Sequence, residues 1–72
     1  MDTFSNRLKE LRKAKKVTQK MIAESINMSE RNYQSLEYGK IKPSYDTIIS
    51  LADFFDVSTD YLLGRSDDPT RY

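Results

Sequence analysis

The sequence predicts an all-α fold of five helices in a single domain, and three observations support this class. Apolar residues recur at spacings of three and four along almost the whole chain, which is the period of an α-helix. No stretch keeps up an alternation of apolar and polar residues, so no sheet is expected. The 72 residues include only two Gly and two Pro, which does not favour a tight-turned β-barrel. A chain of this length holds one ordinary domain.

The five helices are expected from apolar stripes and from residues that favour helix ends. A Ser or Thr hydroxyl can accept a hydrogen bond from an N–H of the first turn, and Gly or Asn suits the left-handed residue that often ends a helix. On these grounds we predict helices over about residues 4–15, 19–26 after Thr18, 30–38 after Ser29, a fourth opened by Ser44 and Asp46, and a fifth from Ser58 to Gly64. The inner faces are expected to carry Phe4, Leu8, Leu11, Ile22, Tyr33, Leu36, Leu51 and Phe55.

The composition excludes several functional classes. The chain contains no Cys and no His, which removes disulfides, thiolate zinc sites and every mechanism that needs an imidazole base. No apolar run approaches the roughly 18 residues of a membrane span, and no secretory leader opens the chain. Little chain remains for a pocket once a minimal core is filled. We therefore expect a cytoplasmic protein that is not an enzyme, with no catalytic residue, metal, cofactor or small-molecule ligand and no membrane partner.

The net charge of +1 conceals two halves of opposite sign. Residues 1–42 carry ten Lys and Arg against five Asp and Glu, whereas residues 43–72 carry two against six. Such asymmetry suggests one surface that faces a polyanion and another that faces elsewhere, although a solvated Lys-rich helix would give the same charge pattern. Residues 1–66 are predicted to form the domain, and residues 67–72 a flexible tail or the start of a linker.

Several motifs in register give a more specific signal. Two short helices joined by the tight turn at residues 27–29 form a helix-turn-helix candidate. Four further motifs lie in or next to these helices and after them, namely Val17-Thr18-Gln19, Glu37-Tyr38-Gly39-Lys40, Lys42-Pro43-Ser44 and the stretch from Val57 to Gly64. Together these resemble the lambda-repressor-like helix-turn-helix family, also called the XRE or Cro/repressor family, over about residues 5–66. Lys16 and Asn27 depart from the pattern, since the family often has Gly at both positions.

The resemblance implies that the third helix enters the major groove of DNA and that its N-terminal residues meet base edges. The matching base-reading positions are Glu30, Arg31, Gln34 and Ser35. Arg31 is the strongest of them, because its guanidinium can bond O6 and N7 of one guanine. Glu30 can accept from cytosine N4, but a carboxylate is also simply favourable at a helix N-terminus, and both interpretations stay open.

The resemblance also nominates residues around the third helix. Phosphate contacts are expected from Gln19, Asn32, Tyr38, Lys40 and Lys42, although Lys42 could instead reach the edge of the minor groove. It pairs Glu37 with Arg12 of the first helix, a partly buried ion pair that would set the angle of the reading helix. Tyr33 is expected in the core. A dimer surface is predicted from apolar residues off the main core stripe, namely Tyr45, Ile49, Phe54 and Tyr61, although Phe54 and Tyr61 could equally complete a small core.

These residues predict a sequence-specific DNA-binding transcriptional regulator that works in the cytoplasm, on the nucleoid. A repressor of the phage or bacterial type fits best. We expect it to bind a palindromic operator in double-stranded DNA as a homodimer, because one module of this size reads only about four or five base pairs. Helix-turn-helix proteins commonly pair two modules for this reason. The alternative is an antitoxin-like or other protein-interaction module on the same fold, for which helices four and five would bear the important surface.

Overall fold

The structure, a computed structural model, describes residues 3–71 and contains five helices. In chain order they are α1 (Thr3–Lys15), α2 (Gln19–Ser25), α3 (Glu30–Glu37), α4 (Tyr45–Phe55) and α5 (Thr59–Leu63). No strand occurs within the described residues. The predicted all-α fold is confirmed, and the helix bounds differ from the predicted ones by about one residue.

Four of the five helices start at the predicted hydroxyl caps. In each case the side-chain oxygen of the cap accepts from the backbone N–H three residues later, and the pairs are Thr18 with Met21, Ser29 with Asn32, Ser44 with Thr47, and Ser58 with Tyr61. Such a cap stabilises a helix by about 1 kcal/mol, because it satisfies an N–H that has no partner inside the helix. The capping residues therefore determine where α2 to α5 begin.

Within residues 3–71, three residues other than Gly adopt left-handed backbone conformations at turns. Lys16 and Asn27 both have φ near 59°, and Asp56 has φ of 55°. Lys16 follows α1, and Asn27 lies between α2 and α3. A side chain in this conformation costs roughly 1–2 kcal/mol, least for Asn and Asp, whereas Gly adopts it without that cost. The geometry explains why a related sequence would have Gly at both Lys16 and Asn27.

The core draws on every helix. Its buried apolar residues are Phe4 and Leu8 of α1, Ile22 and Ala23 of α2, Tyr33 and Leu36 of α3, Leu51, Ala52 and Phe55 of α4, Leu62 of α5, and Val57 between α4 and α5. Tyr33 has an exposed fraction of 0%, so its predicted core position is confirmed. Leu11 is only half-buried and packs against this cluster.

Helix α3 is held from two sides. It packs against α2 across the turn and against α1, while α5 packs against α1 and α4. The buried Ser5 hydroxyl of α1 donates to the carbonyl oxygen of Leu36 at 2.8 Å. This bond satisfies a carbonyl in the last turn of α3, where the helix itself offers no donor. The C-terminal part of α3 is thereby tied to α1.

The chain after α5 folds back onto the helices. The backbone N–H of Ser58 donates to the carbonyl oxygen of Pro69 at 3.1 Å. Arg71 forms ion pairs with Asp53 at 2.6 Å and Asp56 at 3.4 Å. The described part of the predicted tail thus lies along α4 and the start of α5. None of the helices in residues 3–71 combines the length and the apolar character that a membrane crossing requires.

Candidate nucleic-acid interface

The N-terminal turn of α3 presents its polar side chains outward. Glu30, Arg31 and Asn32 are exposed, while Tyr33 is buried directly behind them. This alternation follows from the helical period, which turns one face of α3 into the core and leaves the opposite face to solvent. Gln34 and Ser35 lie at the margin and are half-buried. The four predicted base-reading residues therefore share one helix face but differ in accessibility.

Arg31 carries an exposed guanidinium on this face. Its side chain is exposed and forms no ion pair with any residue from 3 to 71. A guanidinium offers five N–H donors in a fixed planar fork. Since no residue from 3 to 71 engages these donors, the fork is available for two parallel bonds to one planar pair of acceptors, such as the O6 and N7 of guanine.

Ser35 is partly engaged by its own helix. Its hydroxyl donates to the carbonyl oxygen of Arg31 at 3.2 Å, one turn earlier. The hydroxyl oxygen keeps acceptor lone pairs while its proton is used in this way. Ser35 is therefore prepared to accept a hydrogen bond from a base, for example from an exocyclic amino group, without giving up its internal bond.

The predicted phosphate-contacting residues lie around α3 but are not equally free. Tyr38 is 60% exposed, and Lys40 and Lys42 are exposed in the loop that follows. The backbone N–H of Lys40 bonds the carbonyl oxygen of Ser35 at 2.9 Å, so Lys40 is anchored at the end of α3. Asn32 is exposed on α3 itself. Lys40 and Lys42 thus place two positive charges beside the C-terminal end of α3.

Gln19, the fifth predicted phosphate contact, has an internal partner. It is half-buried at the start of α2, and its Nε2 donates to Oε1 of Glu37 at 3.1 Å. Sequence reasoning missed this bond, because residues 18 positions apart meet only after α2 and α3 have packed. The carboxylate holds the Gln19 side chain in one orientation at the edge of the interface.

Arg12 and Glu37 meet as the resemblance implies. Nε of Arg12 donates to Oε2 of Glu37 at 2.7 Å, and Nη2 donates to Oε1 at 3.2 Å. Two parallel bonds of this kind give an Arg–carboxylate pair both strength and a defined geometry. The Glu37 side chain is 1% exposed and that of Arg12 19%. With Gln19 as a third member, the cluster ties α1, α2 and α3 together.

The electrostatics of this cluster depend on burial and on hydrogen bonds. Burial disfavours the charged carboxylate, but hydrogen bonds from Arg12 and Gln19 outweigh this effect and hold the pKa of Glu37 below its ordinary value. Burial, and then the nearby Glu37 carboxylate, raise the pKa of the Tyr33 hydroxyl. Among the described residues that hydroxyl has no hydrogen-bond partner.

The lowered pKa of Glu37 predicts a loss of stability in acid. A carboxylate whose folded pKa lies below its unfolded value stabilises the fold above the unfolded pKa, and this contribution is lost as the pH falls through the folded pKa. The loss attributable to Glu37 should therefore begin near its ordinary pKa of 4.5 and grow below it. Urea unfolding of the parent protein and of Glu37→Gln at pH about 7, 4.5 and 3 measures it.

The comparison of the parent protein with Glu37→Gln cancels the contribution of the other carboxyl groups, because these groups titrate equally in both proteins. We expect the stability gap between parent and variant to narrow as the pH falls. Parallel pH curves for the two proteins would contradict the assignment of a lowered pKa to Glu37.

The predicted dimer residues separate into two pairs. Tyr45 is 78% exposed and Ile49 37%, one turn apart on α4. Phe54 instead packs edge-to-face on Phe55, with ring centroids 5.1 Å apart. The ring of Tyr61 lies under the Arg7 guanidinium at 4.0 Å. Phe54 and Tyr61 thus have partners within the chain, and the apolar surface left open on α4 consists of Tyr45 and Ile49.

Two arginines outside the predicted site organise the opposite side of the molecule. Nη1 of Arg7 donates to the carbonyl oxygens of Tyr61 and Ser66, at 2.7 Å and 2.9 Å. Arg71 binds the end of α4. No local sequence signal identifies either residue, because both bond partners that are distant along the chain.

Comparisons with known proteins agree with this geometry. A protein-family model described as helix-turn-helix matches residues 8–62. The uncharacterized HTH-type transcriptional regulator YobD of Bacillus subtilis is 42% identical over 66 residues, which cover 92% of this chain and 59% of YobD. The HTH-type transcriptional regulator ImmR of the same organism is 38% identical over 65 residues, covering 90% of this chain and 51% of ImmR. The chain therefore spans little more than half the length of these relatives.

A solved structure shares the arrangement of helices. The nuclear magnetic resonance structure of the DNA-binding domain of the P22 C2 repressor matches with a TM-score of 0.80 and 25% sequence identity. The match covers 88% of this chain and 86% of that domain. The similarity thus extends over nearly the whole fold and includes α2 and α3 with the turn between them.

Proposed function

Since this chain belongs to the lambda-repressor-like helix-turn-helix family, we propose that it is a sequence-specific DNA-binding unit of a transcriptional regulator, of the phage or bacterial repressor type. The observation that carries this proposal is the N-terminal turn of α3. It exposes Arg31 with a free guanidinium fork while Tyr33 and Glu37 fix the same helix from behind. A rigid helix with unengaged donors at its tip suits the major groove of DNA.

The base contacts are assigned from accessibility and chemistry. Arg31 reads a guanine through two parallel bonds, and Ser35 accepts a bond from a base amino group. Glu30 lies at the N-cap end of α3, where it accepts from a cytosine amino group or repels sequences that lack one. Gln34 lies at the margin of the contact. Specificity therefore rests chiefly on Arg31.

The phosphate contacts flank these bases. Asn32, Tyr38, Lys40 and Lys42 approach the backbone around α3, and Gln19 does so from the start of α2 in the orientation that Glu37 gives it. Such contacts position a protein on the duplex without reading sequence. Further positive charge comes from the exposed lysines near the end of α1, which are Lys13, Lys15 and Lys16.

Two copies of the protein bind one palindromic operator in this proposal. A single reading helix contacts too few base pairs to select one site in a genome, and a twofold pair places two such helices on successive faces of the major groove, about 34 Å apart. The exposed stripe of Tyr45 and Ile49 on α4 supplies an apolar surface on the less basic half of the chain. A protein that binds operator DNA works in the cytoplasm, on the nucleoid.

The same stripe supports one other function, a protein-interaction module such as an antitoxin. Tyr45 and Ile49 would then contact a different protein, and α3 would bear no essential contact. The two functions differ in their response to salt, since counterion release on DNA binding makes affinity depend steeply on ionic strength.

Salt dependence tests the proposal directly. If each protomer neutralises about five phosphates, log K against log salt for a palindromic duplex should have a slope near −9. The control is Lys40→Gln, which should make the slope shallower by about two in the dimer, one for each lost contact. Fluorescence anisotropy with labelled duplexes at several salt concentrations provides both values. A slope shallower than about −3 would favour the protein-interaction module.

A further inference from the structure

The turn that joins α1 to α2 holds a lysine in a backbone conformation that suits glycine. Lys16 has φ of 59°. Asn27 and Asp56 share this left-handed conformation, but their short polar side chains can hydrogen-bond locally, which lowers its cost. A lysine side chain offers no such compensation, whereas Gly has no Cβ and adopts the conformation freely. Lys16 is therefore the most strained of the three, and the presence of a lysine here has to be explained by its side chain.

No contact within the described chain supplies that explanation. Lys16 is exposed, and its ammonium forms no ion pair, hydrogen bond or ring contact with any residue from 3 to 71. The adjacent Lys15 differs, since its Nζ lies 5.3 Å from the centre of the Phe54 ring. A strained residue with no internal partner suggests a role in binding, and the group that Lys16 presents is a cation.

Lys16 lies beside the cluster of Arg12, Gln19 and Glu37. The N–H of Val17 donates to the carbonyl oxygen of Arg12 at 3.3 Å, which holds the turn on the end of α1. The side chain of Arg12 bonds Glu37 in the last turn of α3, and Gln19 bonds the same carboxylate. Gln19 is three residues beyond Lys16, and three residues span at most about 11 Å. Lys16 is thus a near neighbour of a residue assigned to a DNA phosphate.

A DNA strand presents further phosphates close to that one. Successive phosphates of one strand are separated by about 3.4 Å along the helix axis. When Gln19 binds one phosphate, the phosphates next to it therefore lie near the turn that carries Lys16. An unpartnered ammonium at this position meets a ligand of opposite charge.

We propose that Lys16 is itself a phosphate contact, whose ammonium binds the DNA backbone next to the phosphate assigned to Gln19. The ligand is the phosphodiester group, so the contact strengthens binding to every duplex and reads no sequence. Lys16 thereby raises affinity for DNA at the expense of folding stability. This inference rests on the proposed DNA binding and deepens it.

The test replaces Lys16 with Gly and measures DNA affinity and thermal stability in the same protein. Lys16→Gly should bind operator and random duplexes on the order of fivefold more weakly per protomer at 0.1 M salt. The slope of log K against log salt should become shallower by about one for each protomer on the duplex. The melting temperature should instead rise by on the order of 5 °C, because Gly relieves the strained turn.

Two further substitutions at the same position separate charge from strain. Lys16→Gln keeps a side chain in the left-handed conformation but lacks the charge, so it should lose affinity like Lys16→Gly and melt near the parent. Lys16→Arg keeps the charge and should retain the affinity and the salt slope of the parent. The matched charge control is Arg65→Gln, at an exposed residue that forms no ion pair with residues 3–71. It should leave the salt slope unchanged.

Three outcomes would overturn the proposal. Lys16→Gly and Lys16→Gln could bind DNA with the affinity and slope of the parent, and then Lys16 makes no contact although the proposed DNA binding stands. Arg65→Gln could reduce the slope as much as Lys16→Gln, which would assign the effect to net charge. Lys16→Gly could melt below the parent, and then the turn is not strained by its lysine. A parent slope shallower than about −3 would instead reject the DNA binding on which the inference rests.

Discussion

Replacing Arg12 with Met is expected to lower the free energy of unfolding at pH 7 by about 3–5 kcal/mol, the usual cost of stranding one charge of a buried pair. The variant leaves the Glu37 carboxylate, which is 1% exposed, without its main partner. A domain of fewer than about 80 residues rarely has more than 3–5 kcal/mol from its core. The variant should be largely unfolded near room temperature.

Replacing Glu37, the other partner of the pair, should lower the free energy of unfolding by less, because the two side chains differ in exposure. Glu37→Leu leaves Arg12 with a side chain that is 19% exposed and can turn to water. The double variant Arg12→Met, Glu37→Leu should recover much of the loss, since neither charge is then left buried and unpaired. Thermal melts of both single variants and the double variant form the cycle. Losses that simply add would show that the two side chains do not interact.

The stability of Arg12→Met should also depend on pH with the opposite sign to that of the parent protein. Without the guanidinium, burial raises the folded pKa of Glu37 above its unfolded value, so the stability linked to that group is present at low pH and lost as the pH rises. Arg12→Met should therefore gain stability between pH 7 and pH about 4.5, where the parent does not. A variant that loses stability over this interval would show that Glu37 finds another partner.

Replacing Arg31 with Ala is expected to have the largest effect on DNA recognition. Each guanine contact contributes about 1–3 kcal/mol of discrimination, and a dimer loses two of them, so specific binding should weaken by about 2–6 kcal/mol. Affinity for random DNA should change far less. The exposed position of Arg31 means that its removal leaves the melting temperature nearly unchanged.

Lys40→Ala provides the contrast for this experiment. Lys40 follows α3 in a loop and is assigned to a phosphate, so its removal should weaken specific and random DNA alike. Anisotropy titrations of each variant with operator and random duplexes separate the two effects. If Arg31→Ala weakened both duplexes to the same degree, Arg31 would be a backbone contact and another residue of α3 would read the sequence.

Much of the fold could be predicted from the sequence because its determinants are local. Thr18, Ser29, Ser44 and Ser58 act on the first turn of the helices that follow them, so their hydroxyls indicate the helix starts directly. The helical period likewise separates Tyr33, which is buried, from its exposed neighbours. Arg12 and Glu37 lie 25 residues apart. Their pairing is predicted from the resemblance to the family pattern and not from local chemistry.

The features that sequence reasoning missed all depend on tertiary contacts. Gln19 reaches Glu37 only after α2 has packed on α3. Arg7 and Arg71 bond atoms far away in the chain, and polar residues near a terminus carry no pattern that distinguishes a docked segment from a mobile one. The sequence leaves Phe54 open between core and dimer surface, because apolar spacing alone does not determine how α4 lies on the core against which this side chain packs.

The position of the bonds that anchor α3 has a consequence for how this protein can evolve. Hydrogen bonds accepted by Leu36 and Glu37 tie the last turn of the helix to α1 and α2. Glu30 and Arg31 are exposed at the other end, and exchanging such surface residues usually changes stability by less than about 0.5 kcal/mol. If α3 reads DNA as proposed, exchange of Glu30 and Arg31 can therefore change the preferred operator at little cost in stability.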